Sequence, residues 1–243
     1  MSKVRIQKYL SEAGVASRRS VEEMILDGLI TVNNRLVTEL PCFVDPQEDD
    51  IRVGSRRIPK RSAEKIYMLL NKPRGVVCTQ SDPQGRMRAT DMVPQVKDRI
   101  YCVGGLDAET TGLVVLTNDG ELTQKLTHGN VESTYLVEID GRLSDEDLLK
   151  ITKGMYFEDK KTPPAKIRVV SGSEKWSILE IKIGESRNPK LRQIFLRLGH
   201  KLRRLKRIAI GPLNERGVKI GHARPLKPEE VRKLIRLSDT EQP

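Results

Sequence analysis

Little in this sequence can hold a metal ion or a structural disulfide. The 243 residues include three cysteines, Cys42, Cys78 and Cys102, which are odd in number, far apart and without a CxxC pair. That pattern speaks against both a zinc site and a disulfide framework. The three histidines, His128, His200 and His222, are as scattered, and no metal-ligand spacing appears. Aromatic residues make up 4% of the chain, with a single Trp, so a stacking platform for single strands is not expected. Long apolar runs are missing too. Charges interrupt every apolar stretch of MSKVRIQKYL at the N-terminus, which reads as neither a signal peptide nor a membrane span. No segment repeats or is low in complexity. A reducing cytoplasm is the expected compartment, with no membrane as partner.

Basic charge is what the chain has in excess. Its net charge is +11, with 37% hydrophobic and 32% charged residues. This describes a globular chain with a polyanionic partner, large enough for one large domain or two modest ones. Residues 186–207, SRNPKLRQIFLRLGHKLRRLKR, contain nine Lys or Arg and no acid. Ile194, Leu198 and Leu202 fall at helical spacing, which predicts a helix with one packed face and Arg192, Arg197 and Arg203 on another. A run so one-signed suits a phosphate backbone better than a solvated face, which usually mixes signs. With no Trp and one Phe in the run, a helix lying on a membrane is disfavoured.

The first sixty residues read as a unit of their own. Ile6, Leu10 and Ala13 have helical spacing, ended by Gly14. Ser17 or Ser20 can cap a second helix, and Ser20 with Glu23 has the spacing of a capping box. LITVNNRLV reads as two strands around an Asn33-Asn34 turn. Arg18 and Arg19 add positive charge to the positive end of the second helix. Such an end suits a phosphate, and suits a solvated terminus equally.

PKRSAEK, residues 59–65, has the composition of an exposed linker. IYMLLNKPRGVVCT then predicts two strands joined by a turn that exposes Lys72 and Arg74. QSDPQGRMRATDMVP, carrying Arg86 and Arg88, reads as a long loop, and long loops in compact domains are often functional. Strands are predicted at IYCVGGL, GLVVLT, TYLVEIDG, AKIRVVS and SILEIKIG, with a helix at SDEDLLKITKGM capped by Ser144. The result is an α+β domain with a mixed, mostly antiparallel sheet and flanking helices.

GGLDAETTGLVVLTNDGEL, residues 104–122, places acids on both sides of a short apolar run. Asp107 can cap a turn, with Thr110 three residues on. Asp107 and Glu109 can also be read as an acid–base pair, and Asp107, Glu109 and Asp119 as carboxylates of a metal-dependent nuclease. The residues alone leave these readings open.

Residues 3–53, with Arg5, Ile6, Gln7, Leu10, Gly14, Ser17, Arg18, Arg19, Gly28 and Asn33, resemble the small S-four-type RNA-binding module. The stretch 104–122 resembles the signature G-R-L-D-x-x-T-x-G-L-L-L-L-T-N-D-G-E-L of the RsuA/RluB-type ribosomal RNA pseudouridine synthases. NKPRGVVCT at 71–79, TYLVEIDG at 134–141 and LGHKLRRLKRIAIGPL at 198–213 match the same family. The resemblance implies an S-four-like domain over 1–60, a linker over 61–65 and a pseudouridine synthase domain over 66–243. It implies Asp107 as the catalytic carboxylate, Tyr135 against the target base and Arg192 paired with Asp107. Arg5, Arg18, Arg19, Lys72, Arg74, Arg86, Arg187, Asn188, Lys190, Arg203 and Arg204 are then expected to hold RNA. The implied reaction isomerises a uridine of ribosomal RNA and needs no cofactor. The partner is ribosomal RNA, alone or in an assembly particle, and a monomer is expected.

Several positions depart from the family's pattern. Gly105 stands where an arginine is usual, Ser133 replaces the lysine of K-x-Y, and ESRNPKLRQIF replaces E-G-R-N-R-Q-V-R-R-M. Asp107, Tyr135 and Arg192 are kept. The rival reading is a catalytically weak or inactive RNA-binding relative that acts in ribosome assembly.

Overall fold

The computed structural model describes residues 3–59, 64–128, 131–157, 160–162, 164–184 and 191–239. It divides into two compact units, Met1–Lys65 and Ile66–Pro243. In the first, β1 (Val4–Arg5) leads into α1 (Ile6–Glu12) and then α2 (Arg18–Leu26). Four short strands follow, β2 (Ile30–Val32), β3 (Arg35–Leu36), β5 (Ile51–Val53) and β6 (Arg56–Arg57), in one sheet of order β3-β2-β5-β6, while β4 (Phe43–Val44) pairs with β1. Ile6 and Leu10 of α1 and Val21 and Ile25 of α2 close on Ile30, Val44 and Ile51, so the apolar spacing becomes a core. Asn33 and Asn34 both have positive φ, 51° and 63°, as a two-residue hairpin turn requires. Ser17, not Ser20, caps α2: its hydroxyl oxygen accepts from the Ser20 amide at 3.0 Å.

The second unit contains β7 (Tyr67–Lys72), β8 (Tyr101–Val103), β9 (Thr111–Thr117), α3 (Gly120–His128), β10 (Ser133–Asp140) and α4 (Asp145–Lys153). It continues with β11 (Tyr156–Phe157), β12 (Lys160–Lys161), β13 (Ala165–Ser173), β14 (Trp176–Ile183) and α5 (Leu191–Arg197). The last elements are β15 (Leu202–Ile210), β16 (Leu213–Asn214), β17 (Ala223–Pro225) and α6 (Pro228–Asp239). Among the described residues, nine strands form one sheet with the path β13-β14-β10-β15-β9-β7-β17, to which β8 and β16 are added. Pairing is antiparallel except where β9 meets β15.

β9 runs through the middle of this sheet and is buried on both faces. Val114 and Leu116 face a core that includes Tyr135, Val137 and Phe195. Leu113 and Val115 face the opposite core, with Leu122 and Leu126 of α3 and Leu234 of α6. This accounts for the unbroken run Leu113–Leu116, since a strand covered on both faces has no reason to alternate. The polar residues after it are structural. Thr117 Oγ1 donates to the Ile66 carbonyl at 2.6 Å, and Asn118 Oδ1 accepts from the Ile66 amide at 2.9 Å. Asp119 Oδ1 caps α3, accepting from the amides of Glu121 at 3.0 Å and Leu122 at 3.3 Å.

Two expectations are corrected. Residues 71–79 do not make a hairpin. β7 takes β9 and β17 as neighbours, and beyond it Val77 makes only an isolated bridge to Arg88. The basic run is not one helix either. Its described part is the short α5, followed by β15, and Gly199 separates them at φ 79°. LRRLKRIAI therefore alternates as a strand, with Leu205 and Arg207 turned to the inside.

Candidate active site

The turn before β9 brings together residues far apart in sequence. Gly104 leaves β8 with φ 57°, and Asp107 then folds back over the start of β9. Asp107 Oδ1 accepts from the Thr110 amide at 2.6 Å, so the turn-capping role is present. The other oxygen, Oδ2, accepts from Arg192 Nε at 3.3 Å, and a second nitrogen of that guanidinium lies 3.4 Å from Thr110 Oγ1. Arg192 stands in the first turn of α5, and α5 is held by Leu191, Ile194 and Phe195, all buried. The cap fixes one carboxylate oxygen, and the arginine orients the other. Both side chains keep about a third of their surface exposed, 32% for Asp107 and 36% for Arg192. A carboxylate so placed is rigid, accessible and beside a positive charge, as a nucleophile or base requires.

Lys72 lies next to this turn and is wholly buried, which corrects its expected place on an exposed loop. The reason is that β7 continues through it, and its ammonium finds three carbonyls: Val76 at 2.8 Å, Pro73 at 3.1 Å and Ala108 at 3.5 Å. Burial pulls its pKa down, while Cys78 and Asp107 push it back up. Lys72 thereby ties the Asp107 turn to β7. Tyr135 on β10 is also fully buried, and its hydroxyl has no hydrogen-bond partner among the described residues. It shares a core with Leu106 and Leu191, the chain neighbours of Asp107 and Arg192.

The other acids of the signature go elsewhere. Glu109 is exposed and pairs with Arg74, and Asp119 accepts from the Tyr67 hydroxyl at 2.7 Å. Burial raises the Tyr67 pKa, and Asp119 raises it further. Asp107, Glu109 and Asp119 therefore do not converge. Among the described residues, no group of three or more His, Cys, Asp or Glu side chains is placed to hold a metal ion.

The expected RNA-binding residues are spread over both units. Arg5, Arg18 and Arg19 are exposed in the first. In the second, Arg74, Arg86, Arg203 and Arg204 are exposed, with Arg86 paired to Asp82 and Arg203 to Asp140. Arg187, Asn188 and Lys190 lie outside the described residues.

Three features escaped the sequence reading. Thr110 serves both Asp107 and Arg192. Arg207 is 1% exposed, and its Nε donates to the Leu113 carbonyl at 2.7 Å. The alternation of LRRLKRIAI predicts that burial once the segment is read as a strand. Cys78 and Cys102, distant in sequence, influence each other's titration: Cys102, the Leu106 amide and the Lys72 charge lower the Cys78 pKa, and Cys78 and burial raise that of Cys102.

Gly105 sits tightly against Cys78. A Cβ there would lie 2.9 Å from Cys78 Cβ. Gly105→Ala is therefore expected to cost about 1–3 kcal/mol by overpacking. Combining it with Cys78→Gly removes the atom in the way, so the double variant should lose less than the two single losses added. Denaturant midpoints of the four forms check this, and strict additivity would show that the contact is relaxed without cost.

A family model described as "RNA pseudouridylate synthase" matches residues 66–197, the segment that carries Asp107, Tyr135 and Arg192. The chain belongs to the RNA pseudouridylate synthase family. A second model, for the S4 domain, matches residues 4–41. This isomerase is 41% identical over 239 residues to "Ribosomal large subunit pseudouridine synthase B" of Bacillus subtilis, covering 97% of each chain. An "Uncharacterized RNA pseudouridine synthase" of Aquifex aeolicus is 37% identical, covering 97% of this chain and 95% of that one. Among solved structures, one described as "Crystal structure of pseudouridylate synthase" superposes with a TM-score of 0.65 at 26% identity, covering 95% of this pseudouridine synthase and 99% of that chain. No helix among the described residues is long and apolar enough to cross a membrane.

Proposed function

We propose that this pseudouridine synthase acts on ribosomal RNA, with Asp107 as the carboxylate that works on the target sugar. The observation that carries the reading is the Asp107–Thr110–Arg192 cluster, assembled within the family-matched segment from residues 85 positions apart. The substrate class follows the name of the Bacillus subtilis relative, and that name points first to the large subunit.

The reaction breaks the bond from uracil N1 to the sugar C1′, turns the base, and joins C5 to C1′. The C5 proton leaves and a proton ends on N1, so the product is an isomer of the substrate. Asp107 supplies the ionised oxygen needed at the sugar, either to attack C1′ or to take a sugar proton as the glycosidic bond breaks. Arg192 holds the carboxylate in one rotamer. Tyr135 brings a buried hydroxyl without a hydrogen-bond partner among the described residues, a costly arrangement of the kind that functional sites retain. We assign it to the base and to the C5 proton. Its ring is wholly covered, so contact with a base requires the side chains above it to move aside.

Mapping pseudouridines in ribosomal RNA from cells with and without this protein tests the reading. At least one modification should disappear. An unchanged map would favour the rival, a non-catalytic RNA-binding relative. Assays on naked RNA and on assembly particles then decide the form of the substrate.

The first unit is assigned to phosphate binding through Arg18 and Arg19, exposed at the N-terminal end of the nine-residue α2. Replacing both by Glu should weaken RNA binding and flatten its log–log salt dependence by roughly 1.4–1.8, since each lost phosphate contact removes roughly 0.7–0.9 from the slope. Filter binding over a salt series checks this. An unchanged slope would place both side chains away from RNA.

A further inference from the structure

The loop after β7 is more tightly braced than its composition suggests. Arg86 pairs with Asp82 through two bonds, Nε to Oδ2 at 2.9 Å and a terminal nitrogen to Oδ1 at 2.7 Å, and its backbone amide also donates to Asp82 at 2.8 Å. Arg88 pairs with Asp91 at 2.6 Å and donates to the Gln80 carbonyl at 2.7 Å. Gln80 in turn donates to the Ile100 carbonyl at 3.1 Å. Both arginines are thus used within the loop. Between them stands Met87, 58% exposed.

This methionine is close to the candidate active site by backbone connection. The Val77 amide donates to the Met87 carbonyl at 3.0 Å, and the Ala89 amide to the Val77 carbonyl at 2.8 Å. The same short segment reaches the Asp107 turn: the Gly75 amide donates to the Ala108 carbonyl at 2.8 Å, and Cys78 touches the position of Gly105. Two strand-like spacings, on the order of 10 Å, therefore separate Met87 from the turn. A nucleotide that rotates out of its stack into a pocket loses the stacking energy of its base. The gap it leaves must be filled or remain as lost stacking. Gly105, two residues before Asp107, has no side chain to fill it, and Cys78 leaves no room for one.

We propose that Met87 is the wedge that enters the base stack as the target uridine leaves it. Unbranched and apolar, it is of the side-chain type that proteins insert between base steps. The two carboxylate-braced arginines fix the loop on either side, so the backbone that carries the side chain needs no ordering at the moment of binding. Met87 is a positioning residue that acts on the stack, and it defines the substrate as a stacked uridine in a helical segment. This rests on the reading of the site given above.

The test uses the full chain and an RNA stem around the uridine found by mapping. Met87→Ala should slow single-turnover isomerisation about tenfold on the intact stem. It should change the rate less than twofold on the same RNA with abasic residues on both sides of the target, where no neighbouring base is left for it to stack on. Met87→Leu should keep most of the rate. Ile220→Ala, which removes another exposed apolar side chain of the same unit (58% exposed), should be neutral. A 2-aminopurine beside the target should brighten on binding wild type and Met87→Leu, and stay dim with Met87→Ala. Wild-type rate and brightening in Met87→Ala, or equal slowing on both RNAs, would overturn the wedge alone. A wild-type chain that forms no pseudouridine in any ribosomal RNA overturns the underlying reading, and the wedge with it, and shows this without any variant.

Discussion

Asp107→Asn should abolish isomerisation while leaving RNA affinity within a few-fold. The two side chains are nearly isosteric, but the carboxylate uses both oxygens, one for the Thr110 amide at 2.6 Å and one for Arg192 at 3.3 Å. The amide offers a single acceptor. If it keeps the turn bond to Thr110, its NH2 group faces the guanidinium, donor against donor, and Arg192 loses its anchor. In either rotamer the group cannot attack C1′ or accept a proton from the sugar. A loss of about four orders of magnitude is expected, equivalent to roughly 5.5 kcal/mol at 1.4 kcal/mol per tenfold. Binding should survive because Asp107 is an anion facing a polyanion and contributes no attraction of its own. Single-turnover conversion read by mass spectrometry, with filter binding in parallel, measures both quantities. Turnover within tenfold of wild type would remove Asp107 from the chemistry.

Gly112→Ala should be strongly destabilising. Gly112 has φ 108°, and a Cβ there would lie 2.2 Å from the Arg207 carbonyl oxygen and 2.7 Å from the Arg207 nitrogen. These are backbone atoms of the neighbouring strand, so no side-chain rotation relieves the overlap. The pair Gly112–Arg207 belongs to the parallel contact of β9 with β15. Pushing these strands apart would also strain the bond from buried Arg207 to the Leu113 carbonyl. Overpacking and an unfavourable φ together should cost about 3 kcal/mol or more, lowering the melting temperature by roughly 6–12 °C for a chain of this size. Gly105→Ala, where the nearest contact is 2.9 Å and φ is not positive, should cost less. A Gly112→Ala melting temperature within 2 °C of wild type would show that β9 and β15 can separate freely. Loss of activity should accompany loss of stability, because Asp107 hangs from the start of β9.

Local patterns were legible because they express short-range physics. Helical spacing placed α1 and α2, the Ser144 cap placed α4, and two adjacent asparagines placed the β2–β3 turn. β9 could be found but not explained. A strand buried on both faces and an isolated apolar run look alike until the elements that cover it are known. The basic run 186–207 misled because charge carries no period. Its three apolar residues fit a helix, yet Gly199 ends α5, and the described part of the segment continues as a strand whose inward positions include an arginine.

The same division holds at the candidate site. The residue types and their spacing determined by themselves that the chain is basic, that a small helix-and-hairpin module stands ahead of an α+β domain, and that Asp107 stands in a distinctive turn; RNA binding by the module came from its resemblance to the S-four type. Tertiary structure alone decided what Asp107 touches. Arg192 reaches it across 85 residues of chain, Lys72 is drawn from an expected surface into the interior beside it, and Cys78 closes the space at Gly105. Contacts of this kind depend on which strands become neighbours in the sheet. That is settled by long-range pairing and burial, which bring together residues that no local spacing connects.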